Sequence, residues 1–373
     1  MGGEPRDRVR AEARRLLAAG VSGHVFPGGV ACVSWRAPSG AEELVEACGG
    51  VLGLDPRARN GGEKVREATR YDLGTLTQSV VAVAALRLAA AGRLDLDAPV
   101  EKLVSDVRGG VLDGVTLRQL LSHRGGLARW GGLFLDVPHD VGSPAARRWL
   151  VSEAARRPLE PGEPELPSDL GYLIAGEAIA RSAGEPLDVV VASQVLSPLG
   201  LESQLGFPGA LPTEKRAAHA REAAPTERCE WRGRLVRGQV HDENAVALGG
   251  VAGHAGLFGT AHAVALFGRA VVDVLRGRSD FLPRALLEAS LADGQGALRL
   301  GWRVKDGARP ACGRRMSAQS FGQLGFTGTS IWCDPELDVV VVLLTNRICP
   351  SRANEKIDGF RPAFHDGVLA ALS

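Results

Sequence analysis

Near the end of the chain, Leu337-Asp338-Val339-Val340-Val341-Val342-Leu343-Leu344-Thr345 forms a nearly unbroken apolar run. A strand with one wet face alternates apolar and polar residues with a period of two. This run does not alternate, so it fits a central strand covered on both faces. Such a strand needs neighbours, and the sequence offers them at both ends. Leu300 to Val304 and Thr329 to Cys333 read as strands just before it. Val25 to Trp35 and Leu44 to Gly49 read as two more, joined by the polar turn Ala37-Pro38-Ser39-Gly40.

Helical patterns fill the rest. Arg8 to Ala19 reads as an amphipathic helix, Val80 to Ala91 as an apolar one, and about Asn354 to Leu372 as a closing helix. Arg57 to Thr69 is a polar, glycine-containing loop. Residues 95 to 275 are mostly short helices punctuated by Gly and Pro, with Thr116 an N-cap for Leu117-Arg118-Gln119-Leu120-Leu121. Strands at both ends with helices between them imply one sheet built from both chain ends, an α/β (α+β) arrangement with a helical insertion. The expected division is a single domain over 1–373, with a sheet part at about 1–75 and 285–373 and a helical part at about 76–284.

Composition excludes several classes of function. A net charge of +1 argues against a nucleic-acid partner or an anionic membrane surface. With only 2 Tyr and 5% aromatic residues, a stacking platform for bases is not expected. The 6 cysteines (Cys32, Cys48, Cys229, Cys312, Cys333, Cys349) contain no C-x-x-C pair and no nearby His at metal-ligand spacing, so they read as free buried thiols. No metal or cofactor is expected. Met1 to Leu17 lacks the apolar core of a signal peptide, and no run reaches the length of a membrane span. The expected location is therefore the cytoplasm.

The stretch Tyr71-Asp72-Leu73-Gly74-Thr75-Leu76-Thr77-Gln78-Ser79-Val80 is similar to the active-site entry of the penicillin-recognising serine hydrolases. Gly238-Gln239-Val240-His241-Asp242-Glu243-Asn244-Ala245 and Leu248-Gly249-Gly250-Val251-Ala252-Gly253-His254-Ala255-Gly256-Leu257-Phe258 also resemble a β-lactamase-related branch. So do Phe326-Thr327-Gly328-Thr329-Ser330-Ile331-Trp332 and Leu344-Thr345-Asn346-Arg347. The likeness covers nearly the whole chain. It implies the fold of class C β-lactamases, D,D-peptidases and related esterases: an antiparallel sheet flanked by helices, with an inserted helical region. It also implies a serine nucleophile with a lysine in S-x-x-K, a tyrosine in Y-x-N, and a basic K-T-G or H-T-G strand.

Aligned on those motifs, this chain has lost its titrating groups. Thr75 stands at the nucleophile and Gln78 at the lysine, and an amide does not titrate near neutrality. The methyl of Thr75 crowds an attack and stiffens χ1, and a helix N-cap is the expected role for that residue. In Glu165-Leu166-Pro167-Ser168-Asp169-Leu170-Gly171-Tyr172, Pro167 takes the tyrosine position and Asp169 the asparagine position. Tyr172 reads as core. Gln323-Leu324-Gly325 replaces the third motif. Gly325 and the backbone N–H of Phe326 preserve one expected oxyanion donor, because a backbone donor does not depend on side-chain identity.

Ser168, Gly325, Phe326 and Arg124 are the expected ligand-binding residues, with Arg124 in His123-Arg124-Gly125-Gly126-Leu127 at the pocket rim. His241-Asp242-Glu243 and His254 read as structural groups that cap and tie neighbouring elements. The favoured expectation is a catalytically silent member of the family with a cleft for a small peptide-like or acyl compound. Two alternatives remain: a weak or redirected ester or amide hydrolase using Thr75, or water activated by Asp169, and a structural partner of an active paralogue.

Overall fold

The computed structural model describes residues 4–53, 62–159 and 167–373. Positions 57–61 of the Arg57–Thr69 loop, and Glu165 and Leu166 ahead of Pro167, lie outside the described residues. The apolar run at the chain's end is the middle of the sheet. Its strand spans Val339–Thr345, and all seven residues are buried.

The sheet has eight antiparallel strands. In chain order they are β1 (Gly28–Arg36), β2 (Glu42–Gly50), β3 (Gly294–Gln295), β4 (Leu298–Arg299), β5 (Arg303–Val304), β6 (Phe321–Leu324), β7 (Ser330–Asp334) and β8 (Val339–Thr345). Their spatial order is β2-β1-β8-β7-β6-β5-β4-β3. Residue pairs Ala31↔Leu343 and Val33↔Val341 stitch β1 to β8, so the two ends of the chain share one sheet.

The absence of alternation in β8 has a direct cause. Val340, Val342 and Leu344 pack into the main core, below helices α2 (Leu76–Ala90) and α4 (Ala261–Leu275). Val339, Val341 and Leu343 pack into a second core with α1 (Pro5–Ser22) and α5 (Ile357–Leu372). Each fully buried valine contributes roughly 1.5 kcal/mol or more of transfer free energy. Gly268 lets α4 lie close on the sheet, since a Cβ there would come within 2.8 Å of Ile331 Cδ1 and Val340 Cγ1.

Two local expectations resolve differently. Thr116 caps the helix Leu117–Leu121 in a reciprocal box: its hydroxyl accepts from the Gln119 N–H, and Gln119 Oε1 accepts from the Thr116 N–H. The strand expected over Leu300 to Val304 is instead a tight hairpin. Gly301 takes φ +79°, a conformation that favours glycine, and the chain reverses between β4 and β5.

Helix α3 (Asp169–Ala183) carries the second motif and ends on Gly184 at φ +71°. Five of the six cysteines are buried and Cys48 is half-buried; Cys32, Cys48, Cys229, Cys312 and Cys333 carry free thiols. Among the described residues, no helix is long and apolar enough to cross a membrane.

Candidate functional site

Three distant segments are tied together around the start of α2. The hydroxyl of Thr327 donates to the carbonyl of Asp72 at 2.7 Å, and that of Thr329 to the carbonyl of Leu73 at 2.8 Å. The carboxylate of Asp72 accepts from the N–H of Gly74 at 2.9 Å and of His241 at 2.6 Å. Gly325 sits in the crossing: a Cβ there would fall 2.0 Å from Thr329 Oγ1 and 2.6 Å from Leu73 O. These bonds hold the turn after β6 against the turn before α2.

The result is a cleft of about 710 Å³. Thr75, Gln78, Pro167, Asp169, Gln323, Leu324, Gly325 and Phe326 all line it, so all three expected motifs converge. Thr75 does not fill the role expected of it. Its backbone is already helical, and its side chain makes no capping bond, because an N-cap needs an extended backbone to turn its oxygen back onto the helix. The hydroxyl is left at the cleft.

Gln78 is buried, and its Nε2 donates to Asp169 Oδ1 at 2.9 Å while Oε1 has no partner. Gln323 turns its Oε1 onto the backbone N–H of Leu324 at 3.0 Å. The Thr75 and Phe326 N–H groups have no intramolecular acceptor among the described residues. Gly74, which precedes Thr75, approaches Phe326 closely: a Cβ on it would lie 3.4 Å from the nitrogen of Phe326. A pair of free amides of this kind can bind an oxyanion or a carbonyl oxygen.

The walls are strongly charged. Burial first, then the neighbouring Asp242 charge, pushes the Asp169 carboxyl up to about 6, against the pull of His254 and Arg129. Asp242 caps the helix Glu243–Ala247 and lies 2.8 Å from His254 Nε2. Burial disfavours both charged forms there, yet their mutual attraction wins: Asp242 is held low and His254 is raised. Trp130 Nε1 donates to the same carboxylate at 3.2 Å. His254 Nδ1 is buried without a partner, so this histidine is only half satisfied.

Beyond it, His241 stacks on Phe326 with ring centroids 5.6 Å apart and lies 3.0 Å from Glu227. Arg352 bridges Glu227 and Glu243. The His241-Asp242-Glu243 segment therefore ties elements together, as its sequence implies.

Two expected binding residues belong elsewhere. The guanidinium of Arg124 pairs with Asp293 and donates to Ser122 Oγ at 3.1 Å; it does not line the cleft. Ser168 is the buried N-cap of α3. Its hydroxyl accepts from the Gly171 N–H and donates to the Ala128 carbonyl, and its own N–H donates to His123 Nδ1 at 3.0 Å. Burial, then the charge of Arg303, lowers His123 to about 4, so it is a neutral acceptor. Tyr172 is core, its hydroxyl donating to the Leu121 carbonyl.

Two arginines that the motifs do not mark line the cleft instead. Among the described residues, the guanidinium groups of Arg129 and Arg303 make no hydrogen bond and no ion pair. Arg303 is the more enclosed, and burial and the nearby Arg129 both lower its pKa. Its one sequence signal is a basic residue inside an otherwise apolar strand pattern upstream of Gln323-Leu324-Gly325.

The β-lactamase family model matches residues 13–358. A Salmonella agona (strain SL483) protein provisionally named a D-alanyl-D-alanine carboxypeptidase is 28% identical over 333 residues, 82% of this chain and 75% of its own. An N-acetylmuramyl-L-alanine amidase of Bacillus subtilis (strain 168) is 27% identical over 313 residues, 76% of this chain and 69% of its own. In fold, the chain is similar to a penicillin-binding protein homologue from Caulobacter crescentus, with a TM-score of 0.71 at 19% identity over 98% of each chain.

Proposed function

The chain belongs to the β-lactamase family, and from that premise we propose that it is a member without acyl-enzyme chemistry, retained to bind a small peptide-like or acyl ligand that carries an anionic group. The observation that carries this reading is the amide of Gln78. It stands where the family's general base belongs, cannot take a proton, and spends its N–H on Asp169. Pro167 and Gln323, at the other two reactive positions of the same cleft, cannot replace that base. Removing a nucleophile or base typically costs several powers of ten in rate, leaving binding and the oxyanion donors.

The anionic preference follows from Arg129 and Arg303. Two like charges that are neither hydrogen-bonded nor ion-paired among the described residues favour a carboxylate or phosphate, and a guanidinium can meet either in bidentate fashion. The names of the two relatives supply a rational panel: N-acyl-D-alanyl-D-alanine and N-acyl-L-alanine compounds, free and amidated at the C-terminus. The test is calorimetric titration of that panel into wild type and Arg303→Gln. Binding of the free acid, at least tenfold weaker for the amide and for the variant, supports the reading. Equal affinity for acid and amide contradicts it.

A second reading is favoured by the free hydroxyl of Thr75 and by Asp169, a cleft carboxyl that titrates near neutrality. Here a slow hydrolase would use Thr75, or water activated by Asp169. Ester turnover and fluorophosphonate labelling, read by intact mass, separate the two readings. Turnover lost in Thr75→Ala or Asp169→Asn establishes the hydrolase; no variant-sensitive turnover and no adduct leaves the binding protein.

A further inference from the structure

Away from the cleft, three residues of different chemistry meet on the helix-facing side of the sheet. Cys32 on β1 and Glu46 on β2 are directly opposed in the antiparallel register. His262 sits in the first turn of α4, the helix that packs across β1 and β8. The thiol sulfur, a carboxylate oxygen and an imidazole nitrogen lie within 4.8 Å of one another, and His262 Nδ1 is 3.4 Å from Glu46 Oε2. Cys32 is wholly buried, and its thiol has no hydrogen-bond partner among the described residues.

We propose that Cys32, Glu46 and His262 form a binding site for a borderline divalent transition-metal ion of the Zn²⁺ class. Thiolate, imidazole and carboxylate together are a zinc-type donor set, whereas Ca²⁺ and Mg²⁺ prefer oxygen alone. On binding, the thiol proton leaves to solvent. One thiolate and one carboxylate then balance the two positive charges, so the loaded site is neutral, which suits a partly buried position. His262 and Glu46 keep 35% and 21% of their side-chain surface exposed, which gives an entry path and leaves room for water as a fourth ligand.

A second trio, Glu227, Cys229 and Glu243, is equally compact, but Arg352 already neutralises both carboxylates. The Cys32 trio has no such cation. Its ligands come from three elements and a long span of sequence, which is why the cysteine spacing alone gives no metal signal. Bound metal would fasten the β1–β2 hairpin to the start of α4.

The experiment is titration of the metal-stripped full chain with Co²⁺, followed by absorption, and then competition with Zn²⁺. One cobalt per chain is expected, with a thiolate-to-cobalt charge-transfer band in the near ultraviolet. The band should vanish in Cys32→Ser, and affinity should fall at least tenfold in His262→Ala. Saturating Zn²⁺ should raise the thermal midpoint of wild type but of neither variant. No band in wild type, or one that persists in Cys32→Ser, overturns the proposal. If Cys32→Ser does not fold, His262→Ala decides: unchanged cobalt affinity is equally fatal.

Discussion

Gln78 and Asp169 form a hydrogen-bonded pair, Nε2 to Oδ1 at 2.9 Å, that inverts the polarity the family likeness implies. The likeness places a cationic lysine at the first position and a neutral asparagine at the second; this chain has a neutral amide and a carboxylate. Restoring one partner alone is therefore counterproductive. A lysine introduced at position 78 beside Asp169 would be tied up as an ion pair and held protonated.

Thr75→Ser, Gln78→Lys, Pro167→Tyr and Gln323→His together with Asp169→Asn, which frees the introduced lysine, should give chromogenic ester turnover at least tenfold above wild type. The same four substitutions with Asp169 kept should give less. A folded quintuple variant that is no faster than wild type would mean that these positions do not form one catalytic constellation.

His365 should make the protein acid-sensitive. Burial, then the charge of Arg361, lowers it to about 3, and neither ring nitrogen has a partner. The folded state thus binds fewer protons than the unfolded state between about pH 3 and the ordinary histidine value near 6.5. Stability rises with pH across that window, so the contribution is complete above it and is lost on acidification. Between pH 7.5 and pH 5, His365→Leu should lose about 2 kcal/mol less than wild type. Urea midpoints at the two pH values measure this.

Thr329→Val keeps the side-chain shape but removes the donor to the buried Leu73 carbonyl. The Leu73 carbonyl keeps the Leu76 N–H at 3.1 Å, so the loss is that of one hydrogen bond, about 1 kcal/mol. Because the lost bond holds the turn ahead of Thr75, ligand affinity should fall along with the denaturation midpoint. A stability loss with unchanged affinity would separate this tether from the cleft.

Arg352→Met should be more severe. It leaves Glu227 and Glu243, whose side chains are only 5% and 6% exposed, without their shared cation. Arg352 itself is 42% exposed and Glu227 keeps His241 at 3.0 Å, so solvent screening holds the cost below the roughly 3–5 kcal/mol of a fully buried pair broken on one side. Adding Glu227→Gln to that background should recover part of the loss. Chemical denaturation of the two single variants and the double variant completes the cycle.

The sequence was most informative where one local rule sufficed. The apolar run of β8 announced a doubly covered strand, and Thr116 announced a helix start. It misled where the outcome depended on distant partners or on backbone conformation. Arg124 carries a rim-like motif but is captured by Asp293, 169 positions away. Thr75 has the composition of a cap but not the extended backbone that capping needs. Gly301 folds an apparent strand into a hairpin. Arg303 stood out only as a charge in an apolar pattern, because an arginine without a counter-ion is defined by what three-dimensional packing leaves beside it.

The bond from Thr327 to Asp72 joins positions 255 residues apart, and β1 pairs with β8 across a still longer span. A chain emerging from the ribosome therefore makes the β1–β2 hairpin long before β8 exists to cover its inner edge. Until then Val30 to Val33 present unpaired backbone and apolar surface, the features that recruit other chains. The same connectivity that builds the cleft late in synthesis leaves the newborn protein with an open, aggregation-prone edge for most of its translation time.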